Sequence, residues 1–233
     1  MAGQLSSDPL RNEETLSAMG ICSNIEEIPY MVLISFFISI STRVSNELGA
    51  GEAIRAKRAA ACSIIVCTIV GVILTLCLVL PRKLIGSMFA KDEEIVGLVQ
   101  SLMWPTALYM FGSSVIVSFE GIVLGCGRQT AGAIFVVVAY FIIGLPVSYV
   151  LGFKWGLGVM GLTLGRLAGK IAQLFMMGIL YVRINWQGEV DRASSLLTLV
   201  NANESQDQQG CDENESIHTK PIIDIELNTN NDD

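Results

Sequence analysis

Five charged side chains sit where an apolar chain would be expected to carry none. Glu26 and Glu27 lie in the apolar run 16–42, Glu120 ends the uncharged stretch 101–119, and Arg166 and Lys170 lie inside the run 157–182. At about 1.5 Å of rise per residue the Glu26–Glu27 pair falls roughly 15 Å from the start of its run. That is close to the middle of an apolar layer of about 30 Å. A charge there costs at least about 2.5–3.5 kcal/mol, so such residues face a cavity or a bundle interior and serve the passage of ions or substrates. The alternative is a helix that starts later, near Pro29, which would leave both carboxylates at the interface. Arg166 and Lys170 are one turn apart on one helix face. Two cations at mid-span need a wet cavity, a carboxylate partner, or a stem long enough to snorkel. Glu26, Glu27 and Glu120 are the carboxylates on offer.

Enzyme chemistry is not expected. His218 is the only histidine, so no Ser-His-Asp or Cys-His set can be built. Neighbouring helical residues point about 100° apart, so Glu26 and Glu27 cannot easily flank one bond. Five of the six cysteines (Cys22, Cys62, Cys67, Cys77 and Cys126) lie in or beside apolar runs without metal-ligand spacing. They read as small apolar residues, with no disulfide framework, metal or cofactor implied. No phosphate-binding glycine loop follows a strand, and nothing points to a nucleic-acid partner.

The elements that must hold these charges are membrane helices. The chain has 233 residues, 52% hydrophobic and 16% charged, well below the roughly 25% charge of soluble domains. Five runs reach or exceed the roughly 20 residues needed to cross a bilayer, at about 16–42, 59–80, 98–125, 130–153 and 157–182. Trp104-Pro105 and Gly144-Leu145-Pro146 predict kinks, and Asp8-Pro9 predicts a turn. Gly161, Gly165 and Gly169 repeat every four residues, the spacing that lets helices approach closely. Of the 22 acidic residues eleven fall from Gln187 onward, against two of the 15 basic ones, which leaves a slightly basic body and an acidic tail. That tail, residues 187–233, has no apolar period and is expected to be disordered.

Arg43, Arg55, Lys57 and Arg58 crowd between the first two runs, which puts this end on the cytosolic side. Arg128 and Arg183 then return to the same side, Lys154 falls opposite, and the tail is cytosolic. Asn46 with Gly49 and Gly51 fits a loop with left-handed turn residues.

The stretch Ser41-Thr42-Arg43-Val44-Ser45-Asn46-Glu47-Leu48-Gly49-Ala50-Gly51 resembles the signature of multidrug and toxic compound extrusion (MATE) antiporters, in particular their plant-type eukaryotic branch. The resemblance continues at Gly125-Cys126-Gly127-Arg128-Gln129, at Gly144-Leu145-Pro146-Val147, and at Gly161-Leu162 with Gly165, Gly169 and Gln173. Four motifs in register over about residues 3–186 are specific where each alone is weak.

The resemblance implies an all-α, polytopic membrane bundle whose five helices correspond to helices 8–12 of a twelve-helix, two-lobe transporter. Residues 1–5 would be the tip of the seventh, and the amino-terminal lobe is the missing partner. It implies export of a small organic molecule in exchange for protons or sodium, across a plasma or vacuolar membrane. Desolvation favours the protonated form of a carboxyl, so proton and substrate can compete for one site. Asn24-Ile25-Glu26-Glu27-Ile28-Pro29-Tyr30-Met31 is similar to one plant-branch pattern, which carries Glu26 over as the site carboxylate with Asn24 and Tyr30 beside it. Where the family often has an acid on its tenth helix this chain has Ser113, and Glu120, two turns on, would supply that charge. Leu124 replaces a family arginine. Arg166 and Lys170 stand where apolar residues are usual, which would shift preference away from organic cations. The other expectation is a truncated membrane protein that associates with other helices and does not transport.

Overall fold

A computed structural model describes residues 9–82, 84 and 93–200. The expected helix tip at residues 1–5, most of the charged loop before residue 93 and the tail from 201 lie outside the described residues. The bundle consists of α1 (Pro9–Gly49), α2 (Ala53–Val79), α3 (Glu93–Gly125) and a composite fourth span. That span comprises α4 (Gln129–Val137), π-helical turns at Val138–Gly144, α5 (Leu145–Tyr149) and further π turns at Val150–Lys154. α6 (Gly158–Val182) follows, and α7 (Trp186–Val200) leaves it at a bend of 80°.

Four segments are long and apolar enough to cross a membrane, and the bent pair α6 and α7 taken together makes a fifth. α3 is the hub, packed against α1, α2 and α6. Its most apolar window is 61% buried, against 17% in α1 and α2, which face outward over most of their surface. Ile65, Ile69, Ile73, Phe141, Ile142, Phe175 and Ile179 are exposed, as expected where lipid replaces water. Lipid is as apolar as leucine, so these helices associate through close packing rather than through the hydrophobic effect.

Glycines supply that packing. A Cβ on Gly165 would lie 2.0 Å from Ser148 Oγ and one on Gly161 2.5 Å from the Leu151 backbone. Gly169 rests against Gly144 in the same way. The four-residue repeat therefore does what its spacing predicts, and it seats α6 on the fourth span. Gly125 does the same for α3, where a Cβ would meet Ser41 O and Val44 Cβ at 2.9 Å. Pro146 lies in the first turn of α5, with π turns on both sides. A proline gives no N–H, and the widened turns are the form the expected distortion takes. α3 by contrast runs through Pro105 as one helix.

Two expectations are corrected. Residues 43–49 are not a loop, because α1 continues through Arg43, Asn46 and Glu47 to Gly49. The chain reverses in a Schellman turn. Glu52 N–H donates to Glu47 O at 3.0 Å and Gly51 N–H to Leu48 O at 3.1 Å, with Gly51 at φ +79°. Only Gly51 there needs the left-handed region. The Gly-Cys-Gly turn closes identically, with Gly127 at φ +70° and Arg128 N–H on Val123 O at 3.0 Å. The turn expected at Asp8-Pro9 falls at the edge of the described residues, which are already helical from Pro9. Second, the tail is not irregular from Gln187. Val190 buries with Ile184 against Ile40, Val44 and Leu48, Trp186 meets Tyr181 edge-on at 6.2 Å, and Glu189 pairs with Arg128.

Candidate functional site

The inward-facing charges meet in one cavity of about 250 Å³ bounded by α1, α3, the fourth span and α6. α1 contributes Glu26, Glu27 and Tyr30. Tyr109, Ser113 and Glu120 come from α3, Tyr140 from the fourth span, and Arg166, Lys170 and Gln173 from α6. The positions on α6 follow from its glycines. With Gly161, Gly165 and Gly169 pressed on the fourth span, the neighbouring face carrying residues 166, 170 and 173 turns into the bundle. Gly112 leaves room for the incoming stem, since a Cβ there would lie 3.1 Å from Lys170 Cγ.

Glu26 is buried, and its Oε2 accepts from Arg166 Nη2 at 2.9 Å. The Arg166 guanidinium also lies 4.7 Å from the Tyr109 ring centroid. Lys170 is 8% exposed and forms no ion pair among the described residues. Its Nζ sits over two rings instead, 4.7 Å from the centroid of Tyr109 and 5.6 Å from that of Tyr140. Ring faces attract cations, more strongly when desolvated. The two tyrosine hydroxyls are 3.3 Å apart. Gln173 Nε2 donates to Glu120 Oε1 at 2.7 Å. Glu26 Oε1 and Gln173 Oε1 are buried without a hydrogen-bond partner, so two acceptors remain open inside a low-dielectric space. Buried acceptors of this kind are scarce in folded proteins and call for an explanation.

Seven of the eight side chains singled out for binding therefore line one cavity. A helix starting only near Pro29 is not seen, since α1 runs through Glu26 and Glu27 as well. Asn24 is the exception: it is exposed and off the wall. Glu27 is exposed at the cavity's edge, and the Ser113 hydroxyl is used on its own helix, donating to Tyr109 O at 2.9 Å. Arg43 and Glu47 pair loosely at 3.9 Å away from the cavity, and Pro146 is not on its wall. Gln129 lines a smaller space of about 190 Å³, which shares Glu120 and Val136 with the larger one. Glu120 thus borders both spaces.

Sequence reasoning missed Tyr109 and Tyr140 as wall residues and gave Gln173 only as part of a glycine motif. Helical spacing could have found two of them. Tyr109 is one turn before Ser113, and Gln173 is close to Lys170 on the same face. Tyr140 carries no such signal.

Known proteins share this architecture. The family model named MatE matches residues 5–150. Protein DETOXIFICATION 29 of Arabidopsis thaliana is 33% identical over 185 residues, covering 79% of this chain and 37% of that protein. Protein DETOXIFICATION 37 of the same plant is 34% identical over 193 residues, covering 81% and 38%. The crystal structure of the eukaryotic MATE transporter AtDTX14 superposes with a TM-score of 0.76 at 25% identity, covering 79% of this chain and 41% of that one. An inward-facing multidrug resistance MATE family transporter of the MOP superfamily has the same fold, with a TM-score of 0.64. The chain spans less than two-fifths of the length of these curated relatives.

Proposed function

Because the chain belongs to the MatE family of membrane transporters, we propose that it supplies the carboxy-terminal half-site of a cation-coupled antiporter that exports a small organic molecule. The observation that carries this reading is the Glu26–Arg166 pair beside an open Glu26 Oε1. A proton arriving on Glu26 cancels its charge and releases Arg166. The freed guanidinium and Lys170 then form a cationic wall over Tyr109 and Tyr140, while Glu120 stays with Gln173. Loss of the proton restores the Glu26–Arg166 pair and removes that wall. A substrate carrying positive charge is repelled by that wall and admitted once Glu26 and Arg166 re-pair, so proton and substrate exclude one another, as exchange requires. Substrate would be held between this half and an amino-terminal lobe, in a plasma or vacuolar membrane, with the basic helix ends and the tail cytosolic.

The test is gradient-driven efflux by a protein completed with an amino-terminal lobe and reconstituted in liposomes. Glu26→Gln is expected to reduce flux at least about a hundredfold, the lower end of what a positioned proton acceptor contributes. Glu120→Gln is expected to alter its dependence on the imposed pH step. Unchanged flux in Glu26→Gln would refute the assignment. A second reading rests on the coverage of the relatives. A half-site without its counterpart encloses no passage and would only associate with other helices. The 233-residue chain reconstituted alone would then show no flux in any gradient.

A further inference from the structure

A second basic site lies outside the cavity. Between α1 and α2, at the end where they reverse, is a groove of about 440 Å³ walled by Arg43, Arg55, Arg58 and Glu47. Arg55 and Arg58 are three residues apart on α2 and so share a face. Both are exposed, and neither has an ion-pair or hydrogen-bond partner among the described residues. Glu47 is the one carboxylate on the wall, and it lies 3.9 Å from Arg43, so it does not neutralise the pair on α2. Both arginines fall in the first two turns of α2, whose dipole adds positive potential at that end.

The rest of the groove is apolar. Phe36, Ile40 and Val66 line it, and the exposed Ile65 and Ile69 continue it along the outer face of α2. A site with three guanidinium groups at one end and a hydrocarbon wall running down a membrane helix matches a molecule with an anionic head and an apolar tail. We propose that the groove binds an anionic membrane lipid, its phosphate on Arg55 and Arg58 and an acyl chain along Phe36, Ile40 and Val66. Basic pockets between helices at a membrane surface recognise lipid head groups through this combination. The inference is independent of whether the half-site transports.

The probe is a mixture of phosphatidylglycerol and phosphatidylcholine with matched acyl chains. It is added to the purified 233-residue chain in detergent, and bound lipid is counted by native mass spectrometry. At roughly fivefold per guanidinium near a lipid phosphate, the wild type is expected to retain phosphatidylglycerol at least about fivefold over phosphatidylcholine. The Arg55→Gln/Arg58→Gln double variant should lose that preference with its helical circular dichroism unchanged, while Lys154→Gln, in the last turn of the fourth span, keeps it. Equal retention of both lipids by the wild type overturns the proposal, as does a preference that survives in the double variant. Excess inorganic phosphate should leave the preference intact. If it abolishes it, the site takes a free oxyanion and the lipid assignment fails. A preference absent from a protein completed with its amino-terminal lobe would show that the lobe covers the groove, and that too overturns it.

Discussion

Replacing Arg166 with methionine tests whether the ion pair organises the cavity. Removing one member of a fully buried pair costs about 3–5 kcal/mol, because the other is left charged and unpaired. Here the Glu26 side chain is 11% exposed but that of Arg166 is 39% exposed. Solvent reaching the guanidinium weakens the pair, so the interaction is discounted to about 2 kcal/mol, roughly thirtyfold in an unfolding equilibrium. Arg166→Met also loses the contact over Tyr109 at 4.7 Å, worth about 1 kcal/mol. That loss recurs in Glu26→Met/Arg166→Met and cancels in a double-mutant cycle, which isolates the carboxylate–guanidinium term. The cycle is run by titrating micelles of the folded chain with a denaturing detergent and following helicity. Each single variant is expected to be destabilised by about 2 kcal/mol or more, and the double variant to be more stable than Arg166→Met, since an apolar pair leaves no orphan charge. Additivity of the two single effects to within about 0.5 kcal/mol would refute the reasoning.

Two further outcomes concern packing and the α3–α4 turn. Gly165→Leu would place a Cβ 2.0 Å from Ser148 Oγ and is expected to destabilise the bundle by at least about 3 kcal/mol, whereas Gly20→Ala, with open space around it, should leave the detergent midpoint unshifted or slightly raised. Burial, with Glu189 adding to it, pushes the Cys126 thiol from 9.0 up to about 12. A raised value means less thiolate at every pH below it, so with the other cysteines replaced, alkylation of Cys126 at pH 8 should run about a thousandfold slower than that of an ordinary cysteine. The rate should climb until the pH nears that value; labelling at an ordinary rate at pH 8 would contradict the buried turn.

The parts of this structure legible in the sequence were those where physics leaves one solution. A run of 22 uncharged residues at 59–80 can only cross a membrane or fill a core. A glutamate, an arginine and a lysine inside such runs must find a polar interior, and they found the same one. Glycines every four residues on α6 could be read as a contact before the partner helix was known. The misses have physical causes as well. Asn46 and Glu47 are tolerable in a helix's last turns, so composition could not distinguish a loop from the end of α1. Tyr109 and Tyr140 are at home facing either lipid or a cavity, and only the placement of Arg166 and Lys170 gives them a role. α7 was hidden because the acids of the tail outweigh Val190, Leu196 and Leu197 in any average over the segment.

The pairing of residue 166 with residue 26 spans 140 positions of chain, and this bears on the order in which the helices can enter the bilayer. Alone, α6 would carry two cations into hydrocarbon at about 2.5–3.5 kcal/mol each. In the assembled bundle Arg166 has Glu26, and Lys170 has the rings of Tyr109 and Tyr140. All three acceptors are synthesised first, on α1, α3 and the fourth span. α6 is thus poorly able to insert alone, and it is made after the surface that receives its charges. Glu26, conversely, spends the making of four helices without its arginine, so the unassembled intermediate holds a carboxyl whose partner has yet to be translated.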